Sequence, residues 1–199
     1  MAQRGYHHGD LREALLDAVI DVVASEGVGA VKVSALARAC GVSSAAPFRH
    51  FPTREALLVA AAERAALEQM AAMDKAAANA PNPVEAERAR GVAYVRWAVL
   101  NPGAFRLLDQ PQIIQASSWL GKESSAFVEQ LDAVLGERDE SRSAPALTQR
   151  TAAALAAQAL VYGLARMVVD GSLGSIDEDQ AEQLAWEVTG VLGVGLRGS

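Results

Sequence analysis

Between Lys32 and Arg54 the chain sets hydroxyls at Ser34, Ser43, Ser44 and Thr53, an imidazole at His50, and cations at Lys32, Arg49 and Arg54. Groups of these types donate hydrogen bonds to phosphate oxygens and to base edges. The methyls of Ala45 and Ala46 offer only apolar contact, for instance to a thymine methyl, and Phe48 adds a ring beside them. Nothing here is arranged for catalysis. The chain has three histidines in all, no Glu-x-x-His pair, no phosphate loop and no nucleophile elbow.

These side chains need a scaffold that brings them close to a duplex, and the stretch from Val33 to Phe51 reads as two short helices joined by a tight turn. Ser34 is the expected cap of the first, which stops at Gly41, a residue free to take the left-handed conformation such a turn demands. Ser44 is the expected cap of the second, which places Pro47 at the third helical position, where a missing N–H is tolerated. In a helix-turn-helix the second helix enters the major groove by its N-terminal end, so small or polar residues must lead it. Ser34 and Thr53, as caps, would also present free backbone N–H groups to phosphates.

The surrounding elements follow from caps, breakers and periodicity. Asp10 with Glu13 forms a capping box for a first helix whose Leu11, Leu15, Ala18, Val19 and Val22 share one face up to Glu26-Gly27. Thr53 caps a connecting helix running to about Ala78, before Pro81-Asn82-Pro83. Asn82, Pro83 and Glu85 open a fifth helix that closes at Asn101-Pro102-Gly103, and a short one follows to about Asp109. Further helices are expected at about 117–136, 145–170 and 177–196, with an exposed loop over 137–143. The reading is all-α, about nine helices. It divides into a helix-turn-helix DNA-binding domain at 1–55 and a larger helical ligand-binding and dimerisation domain at 56–199, the connecting helix spanning about 53–78.

Composition agrees. The 199 residues are 51% hydrophobic with only 5% aromatics, enough for a sizeable helical core. The net charge of -6 is unevenly spread: residues 1–64 carry seven Lys and Arg against seven Asp and Glu, the remainder eleven against seventeen. A phosphate-binding face therefore requires Arg4, Lys32, Arg38, Arg49 and Arg54 to be segregated from the acids of the first helix. Cys40 is the lone cysteine, expected to be buried at a helix end, and no signal-type or membrane-spanning apolar run is present, which makes the cytoplasm the expected compartment.

The run Gly41-Val42-Ser43-Ser44-Ala45-Ala46-Pro47-Phe48-Arg49-His50-Phe51-Pro52-Thr53-Arg54-Glu55-Ala56-Leu57-Leu58 resembles the signature of the tetracycline-repressor (TetR) family of transcriptional regulators over about residues 10–60. The resemblance implies a homodimer binding palindromic operators, with His50 and Thr53 at the DNA backbone and Ser43 to Ala46 as the groove-facing edge. Phe48 stands where the family often has Tyr, so a phenolic contact is absent. Asn101-Pro102-Gly103-Ala104-Phe105-Arg106 and Val161-Tyr162-Gly163-Leu164-Ala165 resemble a subgroup that shows Trp-His-Gly at the second stretch, where this chain has neither Trp nor His. That similarity implies a C-terminal domain for ligand binding and dimerisation.

Physical reading of the second half gives matching expectations. Tyr94, Trp97, Phe105, Trp119, Phe127 and Tyr162 are candidates to line a mostly apolar effector pocket, with core packing as the plain alternative for each. Arg96, Arg106, Gln110 and Gln112 are candidate polar anchors, against simple surface exposure. Leu147, Thr151, Ala154, Gln158, Val161, Ala165 and Val168 fall at coiled-coil spacing, and with Leu184, Val188, Val191 and Gly195 they suggest a four-helix dimer interface. His7-His8 lacks a third metal ligand, and Gly193-x-Gly195-x-x-Gly198 lacks the strand and helix a dinucleotide site needs; no metal or cofactor is expected. The expected partners are an operator duplex, a largely apolar small-molecule effector and a second copy of the chain, with no membrane. A helical small-molecule carrier or enzyme without DNA binding is the competing reading, and a steep salt dependence of DNA retention separates the two.

Overall fold

The computed structural model describes residues 8–135 and 152–195. Regular structure among them is entirely helical: α1 His8–Glu26, α2 Val33–Ala39, α3 Arg54–Ala77, α4 Pro83–Leu100, α5 Pro102–Leu108, α6 Pro111–Ala116, α7 Ser118–Leu135, α8 Ala152–Val169 and α9 Glu178–Gly195, with 3₁₀ turns at Val28–Ala30 and Pro47–Arg49. The fold is all-α, as the 3.6-residue periodicity requires. Arg4, His7, Leu147, Thr151, Gly198 and the 137–143 loop lie outside the described residues.

Several helix starts obey the caps read from sequence. Thr53 Oγ1 accepts from Ala56 N (3.0 Å) at α3, and Asn82 Oδ1 accepts from Glu85 N (3.0 Å) at α4 with Pro83 in the first turn. α9 opens on a box that is not among those caps: Gln180 N donates to Asp177 Oδ1 (2.9 Å) and Asp177 N donates to Gln180 Oε1 (3.0 Å).

Other starts differ. α1 begins at His8, so Asp10 and Glu13 lie inside the helix rather than framing its start as a capping box, and Glu13 accepts from Arg12 and Arg64. α2 begins at Val33 because the Lys32 carbonyl is its first acceptor, taking bonds from Ala35 N and Leu36 N; Ser34 sits exposed in the first turn and caps nothing. α6 has no counterpart among the expected helices, although Pro111 at its first position signals a helix start.

Two compact units are present, one of Met1–Leu67 with Pro102–Gly121 and one of Glu68–Asn101 with Lys122–Ser199. The first unit is discontinuous in sequence, and α3 and α7 contribute to both units. In the first unit Leu15, Leu16, Val19, Val23, Leu36 and Leu57 are fully buried together with Leu107 of α5. Each fully buried leucine contributes about 1.5–3 kcal/mol. α5 belongs to this core because Gly103 lets it lie directly on α1: a Cβ there would fall 2.2 Å from the Ile20 carbonyl oxygen. Arg106 secures the contact by donating to the Ala24 carbonyl (2.7 Å).

In the second unit α4 packs on both α8 and α9. Gly91 admits Val161 and Thr189 to the α4 surface. Arg96 ties α4 to Glu178 and Glu182 of α9, and Arg88 lies 3.6 Å over the Trp186 ring while donating to the Trp186 carbonyl (2.8 Å). This packing covers part of the α8 face expected to meet a second copy. Ala154, Ala165 and Val168 are buried within the chain, and Val161 faces Gly91, so that seam is internal. Leu155, Tyr162 and Met167 are the exposed large apolar residues of α8, and Trp186 and Val191 those of α9. Leu184 and Val188 are half-buried.

Candidate nucleic-acid interface

The turn between the two reading segments is closed by backbone alone. Gly41 adopts φ +72°, and Val42 N reaches back to the Ala37 carbonyl (2.9 Å) while Gly41 N bonds Arg38 O (3.1 Å). Those bonds terminate α2 in a left-handed cap that a Cβ would strain. Cys40, beside the turn, is half-buried against the core.

The segment after the turn is not the α-helix expected with Ser44 as its cap. Ala46 N donates to Ser43 O (3.0 Å), Arg49 N to Ala46 O (3.2 Å) and His50 N to Pro47 O (3.0 Å), so the segment winds by three-residue turns. Pro47 explains this. It lacks the N–H that an α-turn would direct at the Ser43 carbonyl, which Ala46 takes instead. Pro47 is also fully buried, and Phe51, which donates its N–H to Pro47 O (2.9 Å), is buried one turn later. These two residues anchor the turn from below.

The opposite side is open. Ser43, Ser44, Ala45, Arg49 and Thr53 are exposed, Ala46 and His50 are half-buried, and Phe48 is 52% exposed. Lys32 and Arg38 are exposed too, and neither they nor Arg49 form an ion pair among the described residues. Two of the α1 acids are engaged elsewhere, since Arg64 of α3 bonds Glu13 (3.2 Å) and Asp17 (2.8 Å). Burial, the largest influence on the Glu13 carboxyl, pushes its pKa up, but the hydrogen bonds and charges of Arg12 and Arg64 outweigh it and hold the group below the usual carboxylate range.

Arg54 departs from the expected set. Its Nε donates to Val31 O (2.8 Å) and its Nη2 to Val28 O (2.6 Å), so the guanidinium clamps the loop that delivers α2. Sequence reasoning misses this positioning role, and no local signal carries it, since the acceptors are backbone carbonyls of another segment.

The aromatic set expected for a pocket is divided between the units. Phe105 is buried and Trp119 half-buried in the first; Trp97 is buried, Tyr94 and Phe127 half-buried and Tyr162 exposed in the second. Phe127 packs on Leu131, Ala154 and Ala157. The four candidate polar anchors bond within the protein: Arg96 to Glu178, Arg106 to Ala24 O, Gln110 to Arg106 O, and Gln112 to Gln110. The hydrogen bond from Arg96 to Glu178 is the main reason the Arg96 guanidinium pKa is raised. No helix among the described residues is long and apolar enough to cross a membrane.

Comparison with known proteins agrees with this geometry. Residues 15–61 match the family described as bacterial regulatory proteins, tetR family, and residues 87–191 match the tetracyclin repressor-like C-terminal domain. A protein of unknown function from Rhodococcus sp. RHA1 is similar at 29% identity over 98% of each chain, with a TM-score of 0.66. A TetR-like transcriptional regulator from the same organism aligns over 98% of this chain and 100% of its own at 21% identity and TM-score 0.68. The TetR family regulator PfmR from Thermus thermophilus covers 89% of this chain and 96% of its own at 24% identity and TM-score 0.60. No curated protein sequence matches. The helix, turn and 3₁₀ reading edge lie within one matched region and the α4–α9 packing within the other, and together the two matches span most of the chain, which belongs to the TetR family of transcriptional regulators.

Proposed function

We propose that the protein is a homodimeric repressor that holds a palindromic operator and releases it when a small molecule binds the second unit. The observation that carries the DNA-reading part is the Ser43–Ala46 edge, left outward and small by the burial of Pro47 and Phe51 beneath it. Ser43 and Ser44 are the donors to phosphate or base edge, Ala45 and Ala46 the apolar contacts, and Arg49, His50 and the Thr53-capped start of α3 the contacts to the DNA backbone. Phe48 replaces a phenol with a bare ring, which restricts that position to van der Waals contact with sugar or base. Lys32 and Arg38 supply further positive charge from exposed positions.

Dimerisation is assigned to the exposed large apolar residues of α8 and α9, Leu155, Tyr162, Met167, Trp186 and Val191. Two reading edges then engage half-sites about 34–36 Å apart, so a displacement of a few ångströms abolishes the fit. Selection from a random duplex pool tests the reading: a palindromic site should emerge, bound with a steep salt slope. A Ser44→Glu, His50→Ala variant should remain folded and dimeric and lose that site at least about tenfold. Retained sequence-specific binding refutes the reading edge, and failure to select any duplex favours the carrier reading.

A further inference from the structure

Glu87 of α4 holds the one buried side-chain oxygen without a hydrogen-bond partner among the described residues. Its side chain is only 5% exposed. Oε1 is doubly served, by Arg90 Nη1 (2.8 Å) and by Gln130 Nε2 of α7 (2.8 Å). Oε2 is buried and unmatched. The same Arg90 also donates to Asp74 of α3, from Nη2 (3.2 Å) and Nε (3.4 Å). One guanidinium thus serves two carboxylates, and the cluster of Asp74, Glu87 and Arg90 carries one uncompensated negative charge.

Buried charges that persist in native proteins are paired, and an isolated unmatched acceptor is disfavoured. Protonation does not resolve the geometry, because a protonated Oε2 would become a donor with no acceptor. A divalent metal does not fit either: no group of three or more His, Cys, Asp or Glu able to hold an ion occurs among the described residues, and the Arg90 charge lies on the same carboxylate. The chemistry that completes the cluster is a single positive charge carrying an N–H donor. Apolar surface is close along the chain, since Phe127 precedes Gln130 by one helical turn and packs on Leu131, Ala154 and Ala157.

Resting on the reading that the second unit binds an effector, we propose that the effector is an organic monocation, an ammonium or amidinium with an apolar body, whose N–H donates to Glu87 Oε2. Gln130 and Arg90 fix the carboxylate for it, and the half-buried Phe127, one turn before Gln130, is the nearest apolar side chain along α7 to receive its body.

The test uses the full chain with phenethylammonium, hexylammonium and benzamidinium, set against 2-phenylethanol and 3-phenylpropanoate as neutral and anionic counterparts. At least one cation should raise the melting temperature in a concentration-dependent way while the counterparts do not. Glu87→Gln should weaken that cation's binding by about tenfold or more by calorimetry, the loss expected for a charge-assisted hydrogen bond. Three results overturn the proposal: no cation binds, cations and neutral counterparts bind alike, or Glu87→Gln melts several degrees lower with cation binding unchanged. The last identifies Glu87 as an internal clasp completed by water. The selected operator keeps the two readings apart. Operator binding without cation binding ends this proposal alone, whereas Glu87-dependent cation binding with no selectable operator ends the regulator reading and leaves the site standing.

Discussion

In the first unit polar side chains close nearby backbone: Thr53 caps α3, Arg54 clamps the carbonyls of Val28 and Val31, and Arg106 holds that of Ala24. In the second they reach one another across helices, Arg96 to Glu178 and Glu182, Arg90 to Asp74 and Glu87, and Gln130 to Glu87. The first unit has one such cross-helix network too, Arg64 with Glu13 and Asp17, but it keeps Ser43, Ser44 and Arg49 exposed. Side-chain networks need matched charge, and where the match is incomplete the surplus stays inside, at Glu87.

The largest effect should come from removing the cation on which the second network depends. Arg90→Met leaves Glu87 buried and short of a partner and should cost about 3 kcal/mol, the scale of breaking a buried pair. Urea unfolding followed through Trp97 and Trp186, with Trp119 replaced by Phe, should record the loss in the second unit; an unchanged midpoint would mean that the cluster is solvated in solution. The matching test of the first unit is Gly103→Ala, whose Cβ meets the Ile20 carbonyl rather than a flexible side chain. Expected is a loss of about 2 kcal/mol read through Trp119 alone, in the range of overpacked cores. A neutral result would show that α5 can lift from α1 at little cost.

The same contrast explains what can be read from the sequence. The caps at Thr53 and Asn82 and the turn at Gly41 depend on residues within a few positions, and each is legible. The reading edge is legible in its residues but not its winding, because a proline tolerated in the first turn of an α-helix and a buried proline that denies the turn a donor look the same until the core beneath Pro47 is known. The register of α8 escapes for a different reason: periodicity identifies an apolar face, not which helix covers it, and here Val161 meets Gly91 of α4 whereas Ala154 packs with Phe127 and Leu131 of α7. Glu87 gives no signal at all. Its partners stand on α4 and α7, and a single acid on an amphipathic helix reads as an exposed charge until Gln130 is brought to it. The return of Pro102–Gly121 to the first unit is equally hidden, since only the contact at Gly103 reveals it.

A smaller effect probes the backbone-directed bonds of the first unit. Thr53→Ala removes the acceptor for Ala56 N at the start of α3 and should cost about 1 kcal/mol. Thr53→Ser, which keeps the oxygen, should recover most of it in thermal unfolding. If Ser and Ala variants melt together, the cap is not what fixes that end of α3, and the Arg54 clamp carries the junction instead.

The smallest expected effect concerns pH, and its sign follows from the direction of the Glu13 shift. Arg12 and Arg64 hold the folded carboxyl below its ordinary value despite burial, so the folded state binds this proton less readily than the unfolded chain. The stabilisation is therefore fully present above the unfolded carboxylate range, near pH 4–5, and is lost as pH falls through the lower folded value. Because the Glu13 side chain is 51% exposed, solvent screening limits the contribution to under about 1 kcal/mol. Glu13→Gln should leave a shallower loss of stability between about pH 5 and pH 3 than the wild type shows, and added salt should erase the difference. A difference that instead persists in high salt would point to a role for Glu13 in packing α1 against α3, beyond its charge pairing with Arg64.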